Sequence, residues 1–436
     1  MKARRWMRRI RLEKEADLAC LASFLERRSR ENQGVRECVR RTLFNVRRLG
    51  DAALVEAVRA FDWSGCPGAQ ALRVEEKRLE RAWRKCPSRL RSALMRSAAS
   101  IRGFHSAQRI RGMRFRKRGL RAGLRALPME SVGLYVPGGR ASYPSTLLML
   151  AIPAQLAGVG RIAVATPAGP AGGPEESVLA AAWFLGIREV YALGGAAAVG
   201  AFAFGTRTVP RVDKIFGPGN AYVAEAKRQV FGAVGIDSVA GPTELVILSD
   251  GTAPALWVAA DLLAQAEHDV LATAVLITTD PSEGDRVETE TERLLAKSPR
   301  ETIQRESLMR RGAVITCADR SIACAAARAL APEHLSIVAK VPRAWACRVP
   351  TAAAVFLGPY SPEAAGDYGA GPNHSLPTGG SARFSSPVTV WDFVRYQSYL
   401  ELEEGALWEA SPWMERLARA EGLRGHAESL AVRRLP

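Results

Sequence analysis

The sequence predicts an α/β protein built from two parallel-sheet halves, with a helical start and a mixed tail. Three observations carry that expectation. From about residue 130, short β-rich runs alternate with Ala/Leu-rich helical runs, the pattern of βαβ units. The alternation restarts near residue 243. Before residue 125, apolar residues recur at helical spacing instead.

In chain order, ECVRRTLFNVRRLGDAALVEAVRAFD reads as helix broken at Gly50-Asp51. SVGLYVP, RIAVATP and EVYALGG read as strands, and STLLMLAIPAQLAGV and EESVLAAAWFLGI as the helices between them. The second set opens with strand ELVILSD, helix APALWVAADLLAQAEHD and strand ATAVLITT, and continues with strands GAVITCA, HLSIVA and AAAVFLG. A mixed tail runs from about residue 390. The turns PGGR (137–140), LGGAAAVG (193–200), GPGN (217–220) and GAGPNH (369–374) are glycine-rich. None is the GxGxxG fingerprint of a dinucleotide-binding first turn.

At 436 residues, 47% apolar and 24% charged, the chain has the composition of a globular protein with room for two or more cores. Runs such as AAAWFLGI are too short to span a bilayer, and the basic N-terminus lacks the apolar stretch of a secretory signal. Seven scattered cysteines (20, 38, 66, 86, 317, 324 and 347) point to reduced thiols and a cytoplasmic protein. The net charge of +17 concentrates between Arg102 and Arg125, which holds nine Lys/Arg and no acid. That stretch could neutralise a polyanion. With no aromatic stacking pattern or nucleic-acid motif beside it, an arginine-rich solvated surface is the expectation.

Five histidines (105, 268, 334, 374 and 426) are the candidate chemistry. Gln265 and His268 in AQAEHD project from one face if the segment is helical. Asp367 and His374 share the loop GDYGAGPNH, Glu421 and His426 the segment EGLRGH, and Glu333 directly precedes His334. Imidazole, carboxylate and carbonyl donors suit a zinc-like ion, but each spacing alone also fits a solvated face or a turn.

The stretches GLYVPGGRASYPSTLLMLAIPAQLAGV, VDKIFGPGNAYVAEAKRQV, DLLAQAEHD, LAPEHLSI and GDYGAGPNHSLPTGGSARFSSPVTVWDF, taken together and in order, resemble the histidinol dehydrogenase family. The resemblance implies two incomplete Rossmann-like domains with parallel sheets, a helical N-terminal segment and a small C-terminal dimerisation tail. The expected organisation is an N-terminal helical arm (1–30) and a helical part packing with the second α/β half (31–130). Two Rossmann-like domains follow (131–242 and 243–388), then a tail (389–436) contributing to the partner subunit's site.

The implied reaction is NAD-dependent two-step oxidation of L-histidinol to L-histidine through histidinaldehyde, the last step of histidine biosynthesis, by a homodimer with one zinc per subunit. The resemblance assigns zinc to Gln265, His268, Asp367 and His426, and catalysis to Glu333 and His334. Those six residues would also line the substrate site, with Thr243, His374 and Glu421. The resemblance places NAD at Tyr135 and Asn220; a third position, usually glutamine, is Ala197, a loss of about 1 kcal/mol of contact where water can substitute. His334 would take the hydroxyl proton, and Glu333 the proton of the water that hydrates the aldehyde. Two rival readings stand beside this one: a related zinc- and NAD-dependent dehydrogenase of another small alcohol or diol, and a polyanion-binding protein acting through Arg102–Arg125. Retention of Glu421, His374 and a hydroxyl at 243 favours the amino-alcohol substrate. No membrane or nucleic-acid partner is expected.

Overall fold

The computed structural model describes residues 6–21, 33–138 and 142–434. Strand β1 (Arg8–Leu12) stands near the N-terminus, and β2 (Met113–Lys117) and β3 (Leu120–Pro128) make a hairpin. The first half holds β4 (Ser131–Tyr135), β5 (Arg161–Thr166), β6 (Val190–Ala192), β7 (Lys214–Phe216) and β8 (Gly235–Ile236). The second holds β9 (Glu244–Ser249), β10 (Thr273–Thr278), β11 (Ala313–Cys317), β12 (His334–Val338) and β13 (Ala354–Leu357). β14 (Val394–Leu402) belongs to the tail.

The first sheet runs β6-β5-β4-β7-β8 and the second β1-β11-β10-β9-β12-β13, with every pairing parallel. Parallel strands need both faces covered. The strands ELVILS and TAVLIT are accordingly buried along their whole length. Each sheet carries one apolar cluster on each face, four in all. A third sheet, β14-β3-β2, is antiparallel and largely exposed.

Two N-terminal expectations differ from this structure. Residues 8–12 are not helical: β1 pairs with β11 at the edge of the second sheet, and a short 3-10 helix (Glu15–Leu21) packs on the helix Arg320–Leu330. Residues 22–30 of the expected arm lie outside the described ones. Nor does the helical part pack mainly on the second half, which it meets through residues 369–373. The helix Gln33–Leu49 packs on Gly195–Phe204 and Ala221–Val230, Glu76–Lys85 on Glu176–Phe184, and Ser88–Ser106 on Pro144–Ala157, all within the first half. The reason is legible in GAAAVGAFAF (195–204), apolar all round and buried from Ala196 to Ala203; such a helix must be covered on every side. Residues 113–128, inside the stretch read as helical, are the β2–β3 hairpin.

Strand order reverses between β4 and β7 and between β9 and β12. In open parallel sheets, ligands favour the crevice beyond the carboxyl ends of the strands at such points. In the first half that crevice is framed by Tyr135, the last residue of β4, and Gly217, just beyond β7. In the second half Asp250 fills it, its carboxylate accepting the N–H groups of Lys340 (2.9 Å) and Thr252 (3.2 Å). The titratable cluster of the second half lies instead at the amino ends of β9 and β12.

Candidate functional site

The cluster begins with a change of chain direction. The helix Arg320–Leu330 ends at Ala331 in the left-handed region (φ 45°), the one non-glycine residue with positive φ among those described. A side chain there is uncommon and strained. Pro332 follows, and Glu333 then faces the head of β9. Its Oε2 accepts the hydroxyl of Thr243 at 2.7 Å and the N–H of Glu244 at 2.9 Å. Glu333 caps no helix; it ties the start of β12 to the start of β9.

His334 opens β12 and is buried, with Nδ1 3.1 Å from the Glu244 carbonyl oxygen. A carbonyl can only accept, so Nδ1 carries the proton and Nε2 is the free base. His374 is fixed in the same manner: Nδ1 donates to the Asp367 carbonyl oxygen at 3.1 Å, which again leaves Nε2 available.

Gln265 and His268 lie at the end of the helix Ala255–Ala266. Gln265 Nε2 donates to the Thr243 hydroxyl at 3.1 Å. Its Oε1 is buried with no hydrogen-bond partner, an arrangement that costs about 1–3 kcal/mol unless something else takes up the lone pairs. Beside it, His268, Glu363 and Asp367 each offer a ligand atom, all within 4.8 Å of one another. Carbonyl oxygen, imidazole nitrogen and carboxylate oxygen form a donor set that zinc accepts. The residues therefore fit a metal ion, with Gln265 Oε1 as the atom otherwise left unexplained.

Sequence reasoning missed Glu363. It is buried, its Oε1 lies 3.4 Å from His334 Nδ1, and its Oε2 has no hydrogen-bond partner. The available signal was the spacing in PEAAGDY: Glu363 and Asp367 are four apart on one short helix, Glu363–Tyr368.

The electrostatics of the cluster are those of a dry site rich in carboxylates. Burial raises Glu333 well above the usual carboxylate range, opposed by its hydrogen bonds from Thr243 and Glu244. Burial also raises Glu363 well above that range, reinforced by Asp367, Glu333 and Asp261. Asp367 and Asp261 are each pushed to about 6 by burial. Burial lowers His334 to about 3 and His374 to about 4. Every shift removes charge. A divalent cation or a cationic amine bound in such a pocket would favour the ionised carboxylates again.

Glu421 and His426 are not brought into this cluster within the one chain. Both are exposed, at the end of the helix Glu404–Ala420 and on Arg424–Ala431, helices that pack against each other.

Of the residues expected at the cofactor, Tyr135 lies at the first half's crevice and Asn220 ends the GPGN turn beside it. Tyr135 is buried, its hydroxyl accepts the Gly195 N–H at 3.1 Å, and burial pushes it up to about 12. Ala197 is buried in the helix that starts at Gly195. Asn220 is exposed, and its side-chain oxygen caps the helix Ala221–Val230 by accepting the N–H groups of Tyr222 and Val223. The GPGN turn needs its first glycine: Gly217 has φ 120°, and a Cβ there would meet the Tyr135 carbonyl oxygen at 2.0 Å. In the PGGR turn, residues 139 and 140 lie outside the described ones. The later part of the basic stretch, from Met113, forms the β2–β3 hairpin, with Arg125 over the Tyr399 ring at 5.1 Å. His105, by contrast, is buried and bonded through Nδ1 to Gln108 at 3.0 Å.

Comparison with known proteins places this geometry in a family. The family model described as histidinol dehydrogenase matches residues 25–434. The histidinol dehydrogenase of Gluconobacter oxydans is 46% identical over 413 residues, 94% of this chain and 96% of its own. That of Burkholderia lata is 44% identical over 423 residues, 96% of each chain. The crystal structure of histidinol dehydrogenase from Elizabethkingia anophelis superposes with a TM-score of 0.91 at 32% identity, covering 99% of this chain and 98% of that one. On sequence, fold and coverage alike, the chain belongs to the histidinol dehydrogenase family of oxidoreductases, enzymes of histidine biosynthesis.

Proposed function

We propose that the chain oxidises L-histidinol to L-histidine with two NAD per substrate, as a cytoplasmic homodimer with one zinc per subunit. Gln265, His268 and Asp367 would hold the ion together with the partner's His426. When bound, zinc supplies an anchor for the imidazole and amino nitrogens of the substrate, and NAD is the hydride acceptor.

The protein's own part is proton handling and orientation. His334 Nε2, free because Nδ1 is committed to the Glu244 carbonyl, takes the hydroxyl proton as the carbinol C–H leaves as hydride. Glu333, whose ionised form a bound cation would favour, accepts the proton of the water that adds to the aldehyde. His334, having returned its first proton to the aldehyde oxygen as the hydrate forms, takes one hydroxyl proton as the hydrate loses its hydride, and the acid gives up its remaining proton as the carboxylate. His374 Nε2 and Glu421 of the partner subunit orient the substrate's polar groups, and Thr243 fixes both Glu333 and Gln265 through one hydroxyl. Tyr135 and Asn220 frame the NAD side.

The observation that carries this reading is the buried, unpartnered Gln265 Oε1 beside His268 and Asp367, one hydroxyl away from Glu333. The test is NADH formed per L-histidinol consumed, with zinc, after chelation, and after zinc is restored. Two NADH per substrate, lost on chelation and regained with zinc, is the expected result. A folded, zinc-loaded protein that leaves histidinol untouched sinks the assignment.

A further inference from the structure

We propose that the buried ion pair Lys227–Asp237 is a positioning device for the cofactor, holding the GPGN turn against Tyr135 by gripping both polar groups of Gly217. The inference rests on the reading of Tyr135 and Asn220 as the NAD side.

The pair is 1% and 6% exposed. Lysine is almost never buried so completely unless paired, and a buried pair is weak evidence for stability in itself. Its bonds indicate what it does. Asp237 Oδ2 accepts the Gly217 N–H at 2.7 Å, and Lys227 Nζ donates to the Gly217 carbonyl at 3.0 Å. One glycine is thus held at both ends by the two charges. It is the glycine whose Cα lies against the Tyr135 carbonyl oxygen and admits no Cβ.

Lys227 belongs to the helix that Asn220 caps, so turn, helix and lysine form a closed ring ending on Gly217. Asp237 sits just beyond β8, where the chain leaves for the second half; six residues on is Thr243. Its Oδ1 also accepts the Ser238 N–H at 2.6 Å. The pair therefore anchors the cofactor-side turn and the start of the crossover to the acid–metal cluster. Lys214 is not a substitute: its Nζ donates to the Asp392 carbonyl at 2.9 Å.

The experiment compares the full-length enzyme with Asp237→Asn and with the double variant Lys227→Met/Asp237→Ala, which removes both charges without adding volume to the buried site. NAD and histidinol are varied separately, and NAD binding is measured by calorimetry. For the double variant the expected result is a KM and Kd for NAD raised about tenfold or more, with kcat at saturating NAD and KM for histidinol within about threefold of wild type. Asp237→Asn, which keeps an acceptor for the Gly217 N–H, should fall between. Val314→Ala, in the second half's core, supplies a stability control that leaves NAD affinity unchanged. An unchanged NAD Kd in either folded variant overturns the proposal, including the case where Asp237→Asn alone is soluble. A wild-type enzyme that neither binds nor turns over NAD removes the underlying reading instead.

Discussion

Replacing Thr243 with valine keeps the branched shape at the head of β9 and removes one oxygen. That oxygen donates to Glu333 at 2.7 Å and accepts from Gln265 at 3.1 Å, so the change touches the acid and the proposed metal ligand together. A neutral side-chain hydrogen bond is worth about 0.5–1.5 kcal/mol, and two are lost. Thr243→Val should therefore lower stability by about 1–3 kcal/mol, before part of the loss is offset by burial of a methyl group. The sharper effect is on zinc. With Nε2 released, the Gln265 amide can rotate, and loss of a partner that orients a ligand typically weakens metal binding by about 10–100-fold. Competition with a chromophoric chelator measures the zinc Kd, and thermal unfolding of the apoprotein measures the stability. Thr243→Ser should stay within about threefold of wild type for zinc, because the hydroxyl alone does the orienting. A valine variant that binds zinc as wild type, or a serine variant that falls as far as valine, would show that the reasoning is wrong.

Three further outcomes are expected. Asp62, which accepts the Gly194 N–H at 3.1 Å and is pushed to about 6 by burial, binds a proton more tightly folded than unfolded. Its unfavourable contribution therefore grows as pH rises from about 4 to 6 and is complete above that; Asp62→Asn, which keeps an acceptor, should gain Tm over wild type across that window and hold the gain at higher pH. Ala197→Gln supplies the amide that the family resemblance implies there, and should lower the KM for NAD about fivefold, the equivalent of about 1 kcal/mol. Co-expressing His426→Asn with Glu333→Gln tests the shared site. Each homodimer should be inactive, while a symmetric dimer mixed at random leaves about a quarter of sites intact and so restores about a quarter of the activity; no recovery from verified heterodimers places His426 in its own subunit's site.

The sequence was most legible where one physical signal acted alone. β9, β10 and β12 are apolar runs buried on both faces, so their texture announced them. β1 was missed because RRIRL lies at a sheet edge and buries only Leu12 completely, which leaves no apolar run to read. The β2–β3 hairpin was missed for a related reason: with β2 wholly exposed, neither face imposes the alternation that marks a strand. In the site, Glu333, His334, Gln265, His268 and Asp367 were recognised through extended motifs rather than spacing. Glu363 offered only its four-residue spacing from Asp367, and its burial beside His334 is a tertiary contact which that spacing does not encode. The packing of residues 33–106 on the first half was a question of which helices lack a polar face, and the alanine-rich sequence of Gly195–Phe204 already held the answer.

The edge strand β1 also sets an order of events as the chain is made. Its partner, β11, begins at Ala313, so about 300 residues must leave the ribosome before β1 can pair, about 15–60 s at typical elongation rates. During that interval the first half can close around its own five strands, whereas Arg8–Leu12 has nothing to pair with. The three arginines that hide this strand from view also disfavour the joining of its unpaired edge to a neighbouring chain. The same charges that obscure β1 as a strand protect it while it waits.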